Sequence, residues 1–296
     1  MTDGLDAHFY ADDSQLYLSC HPADTELHAL RVADCVSRIE HWLATNKLKL
    51  NPTKTELICL GSRQQVSRIT IESFAFGSTE IARSKVVKDL GFNLDEHLSM
   101  SSHVTTLVRS CFYQLRQIRT VIGSLTSTAA ASIIHAFVSG RLDYCNGLLC
   151  GISACQLRRL QAVQNVAARL TTGSRRYDHI TPILNELHWL PIGKRIEFKI
   201  AMTVYKCLQG LAPSYLAELC IPLRTTERPS SLRSNDTNQL VVPRTRTVLG
   251  GRSFAVAGPQ IWNHLPEHIR DHLVAPDAFP KLLKSHYFAN AAAAHS

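Results

Sequence analysis

The apolar residues of this chain change their spacing once, near residue 100, and that change restricts the folds open to it. Ahead of it, apolar and β-branched residues fall in short runs divided by turn formers, the pattern of strands. Beyond it they recur every three or four residues, the pattern of helices. A chain divided in this way folds as α+β, with its strands gathered toward one end.

In the strand-like part, LDAHFY and SQLYLSC meet at Ala11-Asp12-Asp13. Aspartates favour turns, and the Phe, Tyr and Leu on either side favour strands, so a hairpin is predicted with two carboxylates at its tip. Asp24 or Thr25 can cap a helix whose apolar face is Leu27, Leu30, Val32, Val36, Ile39 and Leu43, and Asn46 suits its end. Asn51-Pro52 then makes a turn, and further strands are predicted over 55–60, 68–76 and 84–92.

In the helical part, Val104, Leu107, Val108, Cys111, Phe112, Leu115, Ile118 and Ile122 fit one helix face, with Gly123 as its stop. Further helices are predicted over 127–139, 156–171 and 192–208, the last from the step of four linking Ile196, Ile200, Val204 and Leu208. Residues 209–252 turn rich in Pro, Ser, Thr and Arg and read as a linker or irregular extension. FAVAGPQIWNHLPEHIR then resumes a compact character, and no internal repeat is found.

Charge divides along the same line. Residues 1–100 hold 10 basic and 14 acidic side chains, leaving 22 and 10 for the remainder. Within 101–177 there are nine arginines, no lysine and one acid, Asp143, a net of +8 that suits a polyanion surface. The same charge is also what an ordinary basic helical surface carries.

Other classes of function find little support. No run approaches the roughly 18 to 20 unbroken apolar residues of a membrane helix. MTDGLDAHFY lacks the basic and apolar regions of a secretory signal, so an intracellular, reducing compartment, cytoplasm or nucleus, is expected. The nine cysteines contain no C-x-x-C pair and are expected as free thiols. Cys145, Cys150 and Cys155 have poor zinc spacing, and Pro266 interrupts the helix that would align His264, His268 and His272, so neither set is expected to bind metal.

Tyr-Ala-Asp-Asp between two hydrophobic strands, in the full surround FYADDSQLYLS, resembles the active-site signature of reverse transcriptases. The resemblance runs on in order. Trp42 with NKLKLNPTKTELICLGS at 46–62 resembles the next palm element of the non-LTR retrotransposon enzymes, and VKDLGFNLDEHLS at 87–99 the element where palm meets thumb. LDYCNGLL, LQAVQNVAARL, HITPILNELHWLPIGKRIEFKIAMTVYKCLQGLAPSYL and GGRSFAVAGPQIWNHLPEHIR resemble the long C-terminal region of jockey-like polymerases.

What the resemblance implies is specific. The fold would be α+β: a partial palm over 1–98 (hairpin, helix and short antiparallel strands), a helical thumb over 99–208 and a partly irregular C-terminal extension over 209–296. Asp12 would be the principal Mg²⁺ ligand and Asp13 a second, because phosphoryl transfer builds charge that carboxylate-held metal ions neutralise. Tyr10 would lie under the primer end, and Lys54 would act on the leaving pyrophosphate. Gly91 and Phe92 would grip the primer, and Arg109, Arg116, Arg119, Arg158 and Arg159 would contact phosphates of an RNA template and DNA primer. Only nine residues precede Tyr10, where the family places fingers and a further metal-binding aspartate, so no autonomous polymerisation is expected. The alternatives are a non-catalytic RNA- or DNA-binding module and a structural protein unrelated to nucleic acid.

Overall fold

A computed structural model describes residues 5–76, 79–223, 238–271 and 273–293. The chain divides into two compact units, Met1–His103 and Val104–Ser296. Within the second unit, the described residues Cys220, Leu240, Trp262 and Phe279 share a core with Ala201, Val204 and Tyr205.

In the first unit, β1 (Asp6–Tyr10) pairs antiparallel with β2 (Asp13–Tyr17), Tyr10 opposite Asp13 and Asp6 opposite Tyr17. A 3-10 turn, Pro22–Asp24, leads into α1 (Thr25–Thr45), followed by a second such turn, Pro52–Lys54, and the short α2 (Arg63–Val66). Ser62 and Gln65 close a reciprocal capping box on α2. Then β3 (Ser73–Phe76) pairs with β4 (Thr79–Ala82), and β5 (Val86–Asp89) with β6 (Phe92–Asp95). Among the described residues, each of the three sheets has two strands.

Three sequence expectations are corrected here. Residues 55–60 form no strand and supply only a bridge from Leu57 to Arg83. The run 68–76 contracts to β3. The run 84–92 is not one strand but a hairpin, since Leu90 at φ 44° and Gly91 at φ 84° turn the chain between β5 and β6. Two successive positive φ angles are what one of the two common two-residue hairpin turns uses, and Gly91 supplies one without strain.

The core of this unit is small. Val36 of α1, Phe74 and Ile81 are buried together, with Leu16, Val32, Leu50 and Leu57 against them. Leu27 and Leu30, expected on the inner face of α1, are exposed. A helix of 21 residues is about 30 Å long, and a four-residue strand such as β3 covers only a fraction of it.

In the second unit, α3 (Ser101–Val121) buries Val104, Leu107, Cys111, Leu115 and Ile118 and ends in a 3-10 turn, Ile122–Ser124. Next, α4 (Ser127–Ile134), capped by Thr126, runs through a π turn, His135–Ser139, into α5 (Gly140–Asp143). A 3-10 turn, Asn146–Leu149, precedes α6 (Ala154–Thr172), which Ser153 caps and Gly173 ends at φ 70°. There follow α7 (Ile180–Glu186), α8 (Ile192–Leu208), α9 (Ser214–Ala217), α10 (Val248–Gly251), α11 (Phe254–Asn263) and α12 (Phe279–Ala293). The linker expected over 209–252 falls partly outside the described residues.

The central helix is α8. It buries Ile192, Ile196, Ile200, Ala201, Val204 and Tyr205, and its last turns join Trp262, Leu265, Phe279 and Leu283 in one core. Tyr205 and Phe279 stack at 4.1 Å between centroids, and Trp262 donates from its indole nitrogen to the Asn238 carbonyl at 2.9 Å. Gly258 lets α11 lie close to α8, because a Cβ there would meet Val204 Cγ2 at 3.1 Å.

Candidate functional site

The YADD residues occupy a two-residue hairpin turn. Ala11 and Asp12 lie between the facing pair Tyr10 and Asp13, so Asp13 opens β2 instead of sharing the tip. Ala11 takes φ 53°, a left-handed backbone that glycine adopts freely and alanine reaches at a cost of about 1 kcal/mol. Tyr10, Asp12 and Asp13 are all exposed, Tyr10 at 63%. Gln15 anchors this hairpin by donating to Asp89 at the end of β5, so the β1–β2 and β5–β6 turns, two of the motif-bearing segments, are tied.

Phe92 is 3% exposed and stacks on His103 at 3.7 Å between centroids. Its ring is a core element, and Leu90 and Gly91 are the exposed residues of that turn. His103 is itself buried; its Nδ1 accepts from the Asn93 amide at 3.3 Å, and burial holds its pKa below the ordinary histidine value. Lys54 stands exposed on its 3-10 turn, where Asn51 Oδ1 accepts from the Thr53 amide. No ion pair joins Lys54 to Asp12 or Asp13 among the described residues.

The fit to Mg²⁺ is incomplete. A magnesium ion commonly takes one or two protein carboxylates and keeps several waters, which adjacent Asp12 and Asp13 could satisfy. A two-ion clamp needs more. Asp6 lies four residues along β1 from Tyr10, about 13 Å away along a strand, and no group of three His, Cys, Asp or Glu is placed to hold a metal among the described residues. The described residues do not build the two-ion site. His272, considered with His264 and His268, lies outside the described residues.

The arginines fall into two sets. Arg109 and Arg116 project from α3 on the side away from its buried residues, Arg119 lies at the margin of the buried face, and all three are exposed. Arg159 of α6 donates to Thr105 Oγ1 at 3.2 Å, and Arg141 of α5 donates to Ser110 Oγ, so two more guanidinium groups are drawn against the same helix. Arg158 is exposed on α6 and makes no hydrogen bond or ion pair to α3 among the described residues. Charge counting found these arginines but missed Tyr113, an exposed aromatic between Arg109 and Arg116, whose signal was its place on the polar side of the α3 period.

Elsewhere in the second unit, a cavity of about 570 Å³ is walled by Leu149, Ile152, Leu157, Ile196, Ile261 and Leu265, with the Lys194–Glu197 ion pair at its edge. None of the residues expected to be functional lines it. It lies where three of the motif-bearing stretches meet: Arg195 Nε donates to Asp143 Oδ1 at 2.8 Å, and Arg252 Nε to the Cys150 carbonyl at 2.9 Å.

Comparison of the chain with protein-family models, with curated proteins and with solved structures returns no match.

Proposed function

We propose that this chain is a segment of an RNA-directed DNA polymerase of the non-LTR retrotransposon kind, one that holds RNA template and DNA primer through their phosphates and does not polymerise alone. The observation that carries this is the YADD turn: beside an alanine at φ 53°, Asp12 in the turn and Asp13 at the head of β2 are neighbouring carboxylates, both exposed to solvent. Strained backbone clusters at active sites and ligand clamps, which supports a functional reading of the exposed pair. The lack of a third nearby ligand among the described residues argues for a site that needs further groups before it can catalyse.

The test measures binding and extension together on the purified chain. A labelled RNA–DNA hybrid is expected to bind with an affinity that falls steeply with salt, and no primer extension is expected with Mg²⁺ and deoxynucleotides. Extension abolished by Asp12→Ala would overturn the inactive reading, and no binding even at low salt would end the nucleic-acid reading. The exposed α3 arginines favour one alternative, a non-catalytic RNA- or DNA-binding module. Binding that survives the double change Asp12→Ala, Asp13→Ala would support it.

A further inference from the structure

The outer face of α3 carries more than positive charge. On a helix advancing 100° per residue, Arg109, Tyr113 and Arg116 fall within a stripe about 60° wide, opposite the side that buries Val104, Cys111, Leu115 and Ile118. Tyr113 is 53% exposed although it is a large aromatic with a buried face available on the same helix. No acidic residue occurs anywhere in α3, and Arg109, Tyr113 and Arg116 have no side-chain partner among the described residues. The exposed Arg176–Tyr177 neighbours differ: the Arg176 guanidinium already stands 6.0 Å from the centre of the Tyr177 ring.

We propose that this face is a stacking platform for single-stranded nucleic acid, in which Arg109 and Arg116 hold phosphates and the Tyr113 ring between them takes a base. The inference rests on the nucleic-acid reading above and deepens it by naming the form of the partner. Arg109 and Arg116 are about 10 Å apart along the helix, a span that two long guanidinium side chains can bring to phosphates flanking a nucleotide. A free ring between them offers a π face that any base can cover, so the site would be indifferent to sequence. Arg159, held beside Thr105, extends the cationic track by one helical turn. A duplex hides its base faces and would gain from the arginines alone.

The experiment compares a labelled single strand, RNA and DNA in separate arms, with a strand of equal length whose central nucleotides are abasic. Tyr113→Ala is expected to weaken binding of the base-bearing strand about tenfold and leave the abasic strand unchanged. Tyr113→Phe should keep the wild-type affinity, and Arg109→Ala with Arg116→Ala should weaken both strands. Equal losses on both strands in Tyr113→Ala would mean a structural effect and overturn the proposal. No loss in Tyr113→Ala, with the arginine variants still impaired, would overturn stacking while leaving the phosphate-binding reading intact. If the unaltered chain binds the RNA–DNA hybrid and neither single strand, this inference fails while the nucleic-acid reading stands; if it binds none of them, both fail.

Discussion

Gln15 Nε2 donates to Asp89 Oδ1 at 2.7 Å, a bond between residues 74 apart in the chain. It links the strand behind the YADD turn to the strand before Leu90-Gly91, and so holds two tight hairpins in one arrangement. A two-stranded sheet is marginal without such support. Gln15→Ala is expected to destabilise the first unit by about 1 kcal/mol, a carboxylate hydrogen bond discounted for partial exposure. Hydrogen exchange should show faster amides in β1 and β2 than in α8; unchanged β1–β2 protection would refute this.

Ala11 sits in a backbone region that disfavours any side chain with a Cβ. Ala11→Gly is therefore expected to stabilise the hairpin by up to about 1 kcal/mol, and Ala11→Val to destabilise it by at least as much. Urea denaturation midpoints for the two variants should move in opposite directions. Movement in the same direction would mean that the turn is not held as described.

His103 makes stability depend on acid. Its folded pKa lies below the unfolded value of 6.5 because burial penalises the charged ring. An unprotonated Nδ1 is needed to accept from the Asn93 amide, while the ring stacks on Phe92. Stability from this group is then complete above pH 6.5 and is lost as pH falls below that toward the folded pKa. Urea midpoints should fall between pH 7.5 and pH 5, and His103→Phe, which retains a ring for stacking, should show a smaller fall. Equal falls in both proteins would exclude His103 as the cause.

Gly151 has φ 66°, and a Cβ there would lie 2.7 Å from Arg252 Cγ. That close approach lets Arg252 reach the Cys150 carbonyl. Gly151→Ala should cost about 1 to 3 kcal/mol from backbone strain and displacement of the arginine. Since Arg252→Ala removes the colliding side chain, the double variant should be less unstable than the sum of the single ones. Simple additivity in thermal melts would contradict the close packing.

Local rules carried much of this fold. The step of four from Ile196 to Leu208 and the capping signals at Asn46 and Gly123 placed α8, α1 and the end of α3 closely, because helix periodicity and end chemistry involve residues within a turn of one another. The YADD hairpin was legible for the same reason, although its turn falls on Ala11-Asp12 and Asp13 belongs to β2.

What adjacent residues left open was set by packing at a distance. Whether Phe92 is a surface grip or a core ring depends on His103 lying against it; whether Leu27 and Leu30 are covered depends on how far β3 reaches along α1. The meeting of Asp143, Arg195, Cys150 and Arg252, and the drawing of Arg159 and Arg141 onto α3, likewise join residues from 31 to 102 positions apart. Sequence patterns record a residue's own periodicity and leave its distant partners unspecified, so the hairpin carboxylates could be named beforehand and the surroundings of Phe92 and Tyr113 could not.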